Sequence, residues 1–377
     1  MNKIKVAHFT QVINRYDFID VIIRFADQNK FEMSAITYSM ESNIEPPEYA
    51  GKGIQHDVID IVWGWKGFFL GIVRLARILR KQKIQILHTH HYYEAIMGRV
   101  ACWLYPGCKH IVGRHYHNDL YLTTKRLKLK VYLFFEALVN RFSTAIISPS
   151  SLINTLLREQ GVPANKIKLI PYGFDFTALR YQLLPDAERA LLRVNYADED
   201  TFLIGNFARH HPIKGQMDLL VAFKNFVTRH PKAKLIMVGD GSLRKTLEDW
   251  VENNQLTHTV VFLGWRKDGH SLMNIMDVIV HSTLQEAFPQ TMIEIMVLRK
   301  PLLICPVSGA TDVIETEKSG ILIPFHSPQV IEEKLEFLYS NAEQRKMLGE
   351  NAHKRAMEFS IDRVIDSFED VYINAAQ

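Results

Sequence analysis

Short apolar, β-branched runs alternate along this chain with longer stretches whose apolar positions recur every three or four residues. The first pattern suits strands buried on both faces and the second amphipathic helices. Their alternation predicts parallel sheets covered by helices. In the first half, 4–9, 31–37, 84–89, 110–114 and 144–148 read as strands, with 167–171 as a further one. Helices are predicted between them, including 67–82, with arginines on its polar face, and 94–105. The stretch 175–200 is charged, lacks a strand pattern and reads as a linker with a helix. The alternation then restarts, with strands at 202–207, 233–238, 260–263, 278–281, 302–305 and 320–323. Helices near 215–230, 242–254, 269–276, 290–299 and 328–348 separate them. At 377 residues the chain exceeds one comfortable core. The expected α/β architecture is two Rossmann-like, doubly wound domains facing a central cleft where ligands bind. Their limits are 1–175 and 176–360, with a helix at 361–377 packing back onto the first.

Composition narrows the class. Hydrophobic residues make up 47% and charged residues 23%, as in ordinary globular chains. No run approaches the ~20 apolar residues of a membrane helix. The first residues enter a strand directly, without a signal-peptide core. Three cysteines, Cys102, Cys108 and Cys305, form no disulfide or zinc framework, so a reducing, cytoplasmic location is expected. A net charge of +4 is too small to argue for nucleic acid as a partner.

The chemistry concentrates in Glu286-Ala-Phe-Pro-Gln-Thr-Met-Ile-Glu294, where the chain passes from loop to helix. Glu286 follows the strand 278–281. Glu294 lies about a turn into a helix that begins after Pro289. A helix N-terminus at a strand end is a phosphate site, so the turn of Phe288, Pro289, Gln290 and Thr291 would bind a ligand through the main-chain N–H groups it carries, Pro289 having none. A carboxylate on either side suggests a ligand bearing both phosphate and hydroxyls, as a nucleotide sugar does.

Three further strand ends point the same way. Arg209 and Lys214, in Arg209-His-His-Pro-Ile-Lys214-Gly215, could neutralise a diphosphate, one as a planar fork and one as a point charge. A solvated turn would look the same. Gly239-Asp240-Gly241 permits a tight turn and close backbone approach, although many α/β turns share it. Gly264-Trp265-Arg266 could meet a base, and Trp265 could equally be a packing residue.

Taken in order, Arg209…Lys214-Gly215, Val238-Gly239-Asp240-Gly241, Phe262-Leu263-Gly264, Glu286-(seven residues)-Glu294 and Ser308-Gly309-Ala310 resemble the C-terminal domain of GT-B fold retaining glycosyltransferases of family 4, the glycosyl transferases group 1. Ser148-Pro-Ser-Ser and Gly161-Val-Pro-Ala-Asn-Lys166 through Pro171-Tyr172-Gly173-Phe174-Asp175 match the family's domain-crossing segment. The resemblance spans essentially the whole chain and is weaker before about residue 85. It implies a hexosyltransferase using a UDP- or GDP-sugar as co-substrate, without metal or other cofactor. Glu294 would hold the ribose hydroxyls, Glu286 would face the transferred sugar, and Arg209 and Lys214 would hold the diphosphate. Retention of configuration comes from the resemblance and not from the spacing of the carboxylates.

The first half is dense in histidine: His88, His90, His91, His110, His115 and His117. A His-x-His pair could bind zinc, but no cysteine or acid stands at ligand spacing, and no metal site is assigned. The resemblance implies a histidine near the donor sugar. His115 and His117 compete for that place, with His117 favoured by the Asn118-Asp119 that follows. Relatives carry a Gly-Gly loop after the first strand, whereas here Thr10-Gln-Val-Ile-Asn-Arg15-Tyr16-Asp17-Phe18 has no glycine. Arg15, Tyr16 and His90 are therefore candidates for acceptor binding.

Thr123-Thr124-Lys125-Arg126-Leu127-Lys128-Leu129-Lys130 beside an apolar helix, with Trp63-Gly-Trp65-Lys66-Gly-Phe68-Phe69-Leu70, could lie on the anionic inner leaflet and bring a lipid-linked acceptor to the enzyme. Core helices with snorkelling lysines read the same way. Two other functions fit the pattern: a nucleotide-sugar 2-epimerase of the same architecture, and a non-catalytic nucleotide-sugar binder.

Overall fold

A computed structural model describes residues 3–11, 13, 17–39, 54–61, 64–115, 126–178 and 181–377. The chain divides into two compact units, Met1–Asp175 with Phe359–Gln377 and Phe176–Glu358.

The first unit opens with β1 (Ile4–Thr10), α1 (Phe18–Phe25), β2 (Phe31–Ser39) and β3 (Gln55–Asp60). It continues through α2 (Trp65–Gln82), β4 (Ile86–His90), α3 (Tyr92–Leu104), β5 (Lys109–Gly113) and α4 (Arg126–Phe142). β6 (Ala145–Ser148), α5 (Ser151–Glu159) and β7 (Ile167–Leu169) complete the sheet. The strand order is β3-β2-β1-β4-β5-β6-β7, and every pairing is parallel. β1 and β4 reverse the direction of winding, so the switch point lies beyond their carboxyl ends.

The second unit begins with α6 (Asp186–Arg193), β8 (Phe202–Phe207), α7 (Gln216–Arg229), β9 (Ala233–Val238), α8 (Arg244–Asn253) and β10 (Val260–Gly264). It closes with α9 (Gly269–Ile275), β11 (Val278–His281), α10 (Gln290–Val297), β12 (Leu302–Ile304), α11 (Ala310–Val313), β13 (Ile321–Leu322), α12 (Pro328–Ser340) and α13 (Ala342–Ala356). Its sheet runs β10-β9-β8-β11-β12-β13, with the switch between β8 and β11. β8 is buried along its whole length, as a central parallel strand covered on both faces must be. α7 supplies one cover through Leu219, Leu220, Phe223, Phe226 and Val227, all on one face.

The stretch 328–348 is two helices, with Asn341 leaving helical backbone between them (φ −128°, ψ 82°). No proline or glycine marks that break. α14 (Ile361–Ala376) packs against α1, β1 and β4 of the first unit. It buries Val364, Phe368, Val371 and Tyr372. The polar segment around β3, not read as a strand from sequence, pairs with β2 at the sheet edge. Cys102, Cys108 and Cys305 are free and buried.

Candidate active site

The loops leaving β8 and β11 meet at the switch point of the second unit. β8 runs into a single 3-10 turn, Pro212–Lys214, and then into α7 through Gly215, whose φ of +61° is left-handed. A side chain there would come within 2.2 Å of the Ser282 carbonyl oxygen, so glycine is what lets the loops touch. Ser282 Oγ donates to the Lys214 carbonyl (3.2 Å), and Leu284 N–H donates to the Ile213 carbonyl (2.7 Å). Thr283 Oγ1 donates to the Ile213 carbonyl and lies 3.4 Å from Glu286 Oε1. These bonds bring Lys214 Nζ into an ion pair with Glu286 Oε1, the side chains 15% and 19% exposed. The two groups assigned from sequence to diphosphate and sugar therefore touch each other here.

Two helices start at this switch point, α7 after Gly215 and α10 after Pro289, and no side chain caps either start. Their first N–H groups carry partial positive charge. Gln290 and Thr291 open α10 and are half-buried. Phe288 is buried beneath the loop, and Gly309 (φ +79°) lies against it. Arg209 is exposed, its carbonyl accepting from the Gln216 side-chain amide at 3.0 Å.

Glu294 sits one turn into α10 with its side chain 13% exposed. His270 Nε2, from α9, lies 3.3 Å from Glu294 Oε2, near enough for attraction when the ring is charged but outside hydrogen-bond geometry. Gly239 (φ +138°) and Gly241 (φ +155°) let the β9 loop cross the β8 loop, where Ala208 N–H donates to the Val238 carbonyl (3.0 Å) and His210 N–H to the Asp240 carbonyl (2.9 Å). Asp240 is held by the Gly241 N–H (2.7 Å) and by Arg244 (3.2 Å), and the first of these does most to lower its pKa. Trp265 is 69% exposed, whereas Arg266 forks onto Asp268 at 2.7 and 2.8 Å. Sequence reasoning missed His270, Arg244 and two buried histidines, His210 and His281. Burial lowers the pKa of both, to about 4 for His281, which also feels Glu286 and Lys214. Only the position of His281 at a strand end, five residues before Glu286, could have flagged it.

In the first unit His90 closes β4 and His115 follows β5. Arg15, Tyr16 and His117 lie outside the described residues. His8 and His88 stand opposite each other in the β1–β4 register, so their rings share a sheet face with His90. His8, His88 and His90 bring ring nitrogens within 4.8 Å of one another, the one such group among the described residues with metal-ligand geometry. Hydrogen bonds occupy both nitrogens of His8 and of His90 and Nδ1 of His88. A metal would have to break into that network. Burial is the first cause lowering the pKa of each of these rings. His110 lies on the opposite face, bonded to Thr89 Oγ1 at 2.9 Å.

The model of the glycosyl transferases group 1 matches residues 188–355, and that of glycosyltransferase family 4 matches residues 21–177. Among characterised proteins the chain is similar to the UDP-Gal:alpha-D-GlcNAc-diphosphoundecaprenol alpha-1,3-galactosyltransferase of Escherichia coli, 25% identical over 80% of each chain. It is also similar to the capsular polysaccharide biosynthesis glycosyltransferase CapM of Staphylococcus aureus, 27% identical over 80% of each. Among solved structures, Anabaena Alr3699/HepE in complex with UDP-glucose superposes with a TM-score of 0.82 at 18% identity, over 98% of this chain and 99% of that one. Sucrose-phosphate synthase from Thermosynechococcus elongatus gives 0.80 at 16% identity over 99% of both. At such identities the structural likeness speaks for the fold alone, and that fold is GT-B.

Proposed function

Because the chain belongs to the group 1, family 4 glycosyltransferases, we propose that it moves a hexosyl unit from a UDP- or GDP-sugar to a glycan or lipid-linked acceptor, retaining the anomeric configuration, in cell-surface polysaccharide or glycolipid assembly. The β8–β11 switch point carries the reading. Two helix starts without side-chain caps, Lys214 and exposed Arg209 suit a diphosphate, and Glu286 and Glu294 flank it with hydrogen-bond acceptors for hydroxyls. The glycosyltransferases named above as relatives act on a diphosphoundecaprenol-linked sugar or in capsular polysaccharide synthesis, which fits the acceptor class.

As the glycosidic bond breaks, the leaving diphosphate gains negative charge. Arg209, Lys214 and the N–H groups of Phe288, Gln290 and Thr291 are donors that strengthen against that charge, and they do so without a metal. Lys214 would exchange its contact with Glu286 for the phosphate, freeing the carboxylate to face the sugar and favour positive charge at the anomeric carbon. Glu294, with His270 beside it, takes the ribose hydroxyls. His115 is assigned to the reacting sugar and His90 to the acceptor.

A peripheral contact with the inner membrane leaflet is part of the same proposal. Among the described residues no helix is long and apolar enough to cross a membrane. The outer surface of α2 and α4 nevertheless exposes Trp65 (71%), Phe69 (61%) and Phe134 (60%) beside an open apolar groove of about 460 Å³. The acids of α3 and α4, Glu94 and Glu136, are both buried, and α2 carries none. The exposed charge there is cationic, from Lys66, Arg74, Arg77, Arg80 and Lys81.

Incubation with a panel of nucleotide sugars, with and without acceptor glycans, tests the function. A transferase consumes one donor only when acceptor is present and gives a product of the donor's anomeric configuration. Conversion of donor alone would make the chain an epimerase, and binding without turnover would make it a non-catalytic binder.

A further inference from the structure

Six groups in the first unit, five of them buried and His115 half-buried, form one unbranched hydrogen-bond chain. Tyr172 OH meets His115 Nδ1 (2.9 Å), His115 Nε2 meets His90 Nδ1 (2.8 Å), and His90 Nε2 meets His8 Nδ1 (3.0 Å). His8 Nε2 meets Tyr372 OH (3.3 Å), and that hydroxyl meets His88 Nδ1 (2.9 Å). The fold is arranged to close these links. His8 and His88 pair in register on adjacent parallel strands. A side chain on Gly113 would come within 2.2 Å of His115 Nε2 and 3.0 Å of His90 Nδ1, so glycine leaves the rings room to meet. Phe18 stacks on Tyr172 (4.3 Å between centroids) and packs against His115 (4.5 Å). Tyr372, from the last helix of the chain, is fully buried. Burial disfavours the cationic form of every ring in the chain.

A neutral imidazole has one N–H donor and one bare acceptor nitrogen. Each link therefore dictates the next. If Tyr172 donates to His115 Nδ1, His115 must carry its proton on Nε2, and so must His90, His8 and, through Tyr372, His88. If the polarity runs the other way, all four rings carry the proton on Nδ1. With every link satisfied and the Tyr372 proton inside the chain, no mixed state is consistent. In either state only His88 Nε2 lacks a partner.

We infer that these four histidines form an all-or-none tautomer relay, in which Tyr372 and His90 are positioning residues that fix the donor face of His115 at the carboxyl end of β5. In the Nδ1–H state His115 donates to Tyr172, and the Tyr172 proton points outward from the relay. In the Nε2–H state Tyr172 spends that proton on His115. The two states hold the same number of protons, and in neither is any ring charged. The consequence for turnover rests on the assignment of His115 to the reaction. The tautomer coupling does not.

Nitrogen-15 NMR of the full chain labelled at histidine imidazoles, with ring signals assigned by single substitutions, reads the states directly. The wild-type protein at pH 7.5 is expected to show the same tautomer at His8, His88, His90 and His115, while His110 and His281 report independently. Tyr372→Phe, which keeps the ring and removes the hydroxyl, is expected to uncouple His88 and leave His8, His90 and His115 populating both tautomers in concert. Its kcat should fall roughly five- to tenfold with donor KM unchanged, about what one hydrogen bond is worth. Unlike tautomers along the wild-type relay, a cationic ring, or a stoichiometric bound metal occupying ring nitrogens would overturn the inference. So would a folded Tyr372→Phe with all four rings unchanged. Loss of the tautomer change refutes the relay, whereas a tautomer change without loss of turnover refutes only the role of His115.

Discussion

Lys214 and Glu286, seventy-two residues apart in sequence, form an ion pair across the β8–β11 switch point. Each is the other's main neutralising partner until a ligand enters. Glu286→Gln should lower kcat at least a hundredfold, on the order of 3 kcal/mol of barrier, with donor affinity little changed. Lys214→Met should weaken nucleoside-diphosphate binding as well as kcat. In the ligand-free protein the double variant should be more stable than the sum of the two single losses predicts, by about 1 kcal/mol, because each single change strands a partly buried charge. Strict additivity in urea unfolding would show that the pair is not coupled.

Gly215 joins the loops that carry this pair, so Gly215→Ala has a measurable structural cost. The new methyl would meet the Ser282 carbonyl at 2.2 Å from a left-handed backbone. A loss of about 2–3 kcal/mol is expected. Gly161→Ala is the control, with similar φ (+80°) but nothing within 4 Å, and should cost only about 1 kcal/mol. Equal losses by urea midpoint would mean the loops separate freely.

Acid should destabilise the protein well before its carboxylates titrate. The rings of His8 and His110 are held near about 3 and that of His281 near about 4, against 6.5 in an unfolded chain. Below 6.5 the unfolded state therefore binds more protons, and stability falls as pH falls, by about 1.4 kcal/mol per pH unit for each ring. Glu94 works in the opposite sense. Burial raises its carboxyl to about 7 from 4.5, so the folded state gains stability as pH falls through that window. One acid does not offset several histidines. The urea midpoint should drop between pH 6.5 and 5, and His110→Asn should reduce the slope by about one proton. A flat midpoint would contradict this.

The exposed aromatics of α2 give a test of the membrane proposal. Trp65→Glu with Phe69→Glu should lower co-sedimentation with anionic vesicles at least tenfold, with turnover on a water-soluble acceptor unchanged. Equal binding to zwitterionic vesicles, or no effect of the pair, would contradict it.

The strands of the second unit were readable because central parallel strands are mostly apolar. Phe202–Phe207, Ala233–Val238 and Val278–His281 run as the sequence predicts. β3, Gln-His-Asp-Val-Ile-Asp, escaped because an edge strand pairs on one side and keeps polar residues. The break at Asn341 escaped because helical apolar spacing continues on both sides of it. For the site, sequence order located Arg209, Lys214 and Glu286 in loops that follow strands and Glu294 in the helix after one of them. It could not pair them. The Lys214–Glu286 contact depends on which strands lie side by side, and the bond between Tyr372 and His8 joins residues 364 apart. Neither distance is written in any local pattern.

In the proposed function a nucleoside diphosphate sits at the β8–β11 switch point between Arg209, Lys214 and Glu294. Calorimetric titration of UDP and of GDP into the wild-type chain and into Arg209→Ala and Glu294→Ala tests it most directly. Saturable one-to-one binding of one of the two nucleotides is expected, weakened at least tenfold by each substitution, with both variants as stable as the parent. Binding of neither nucleotide, or binding that survives both substitutions unchanged, would contradict it.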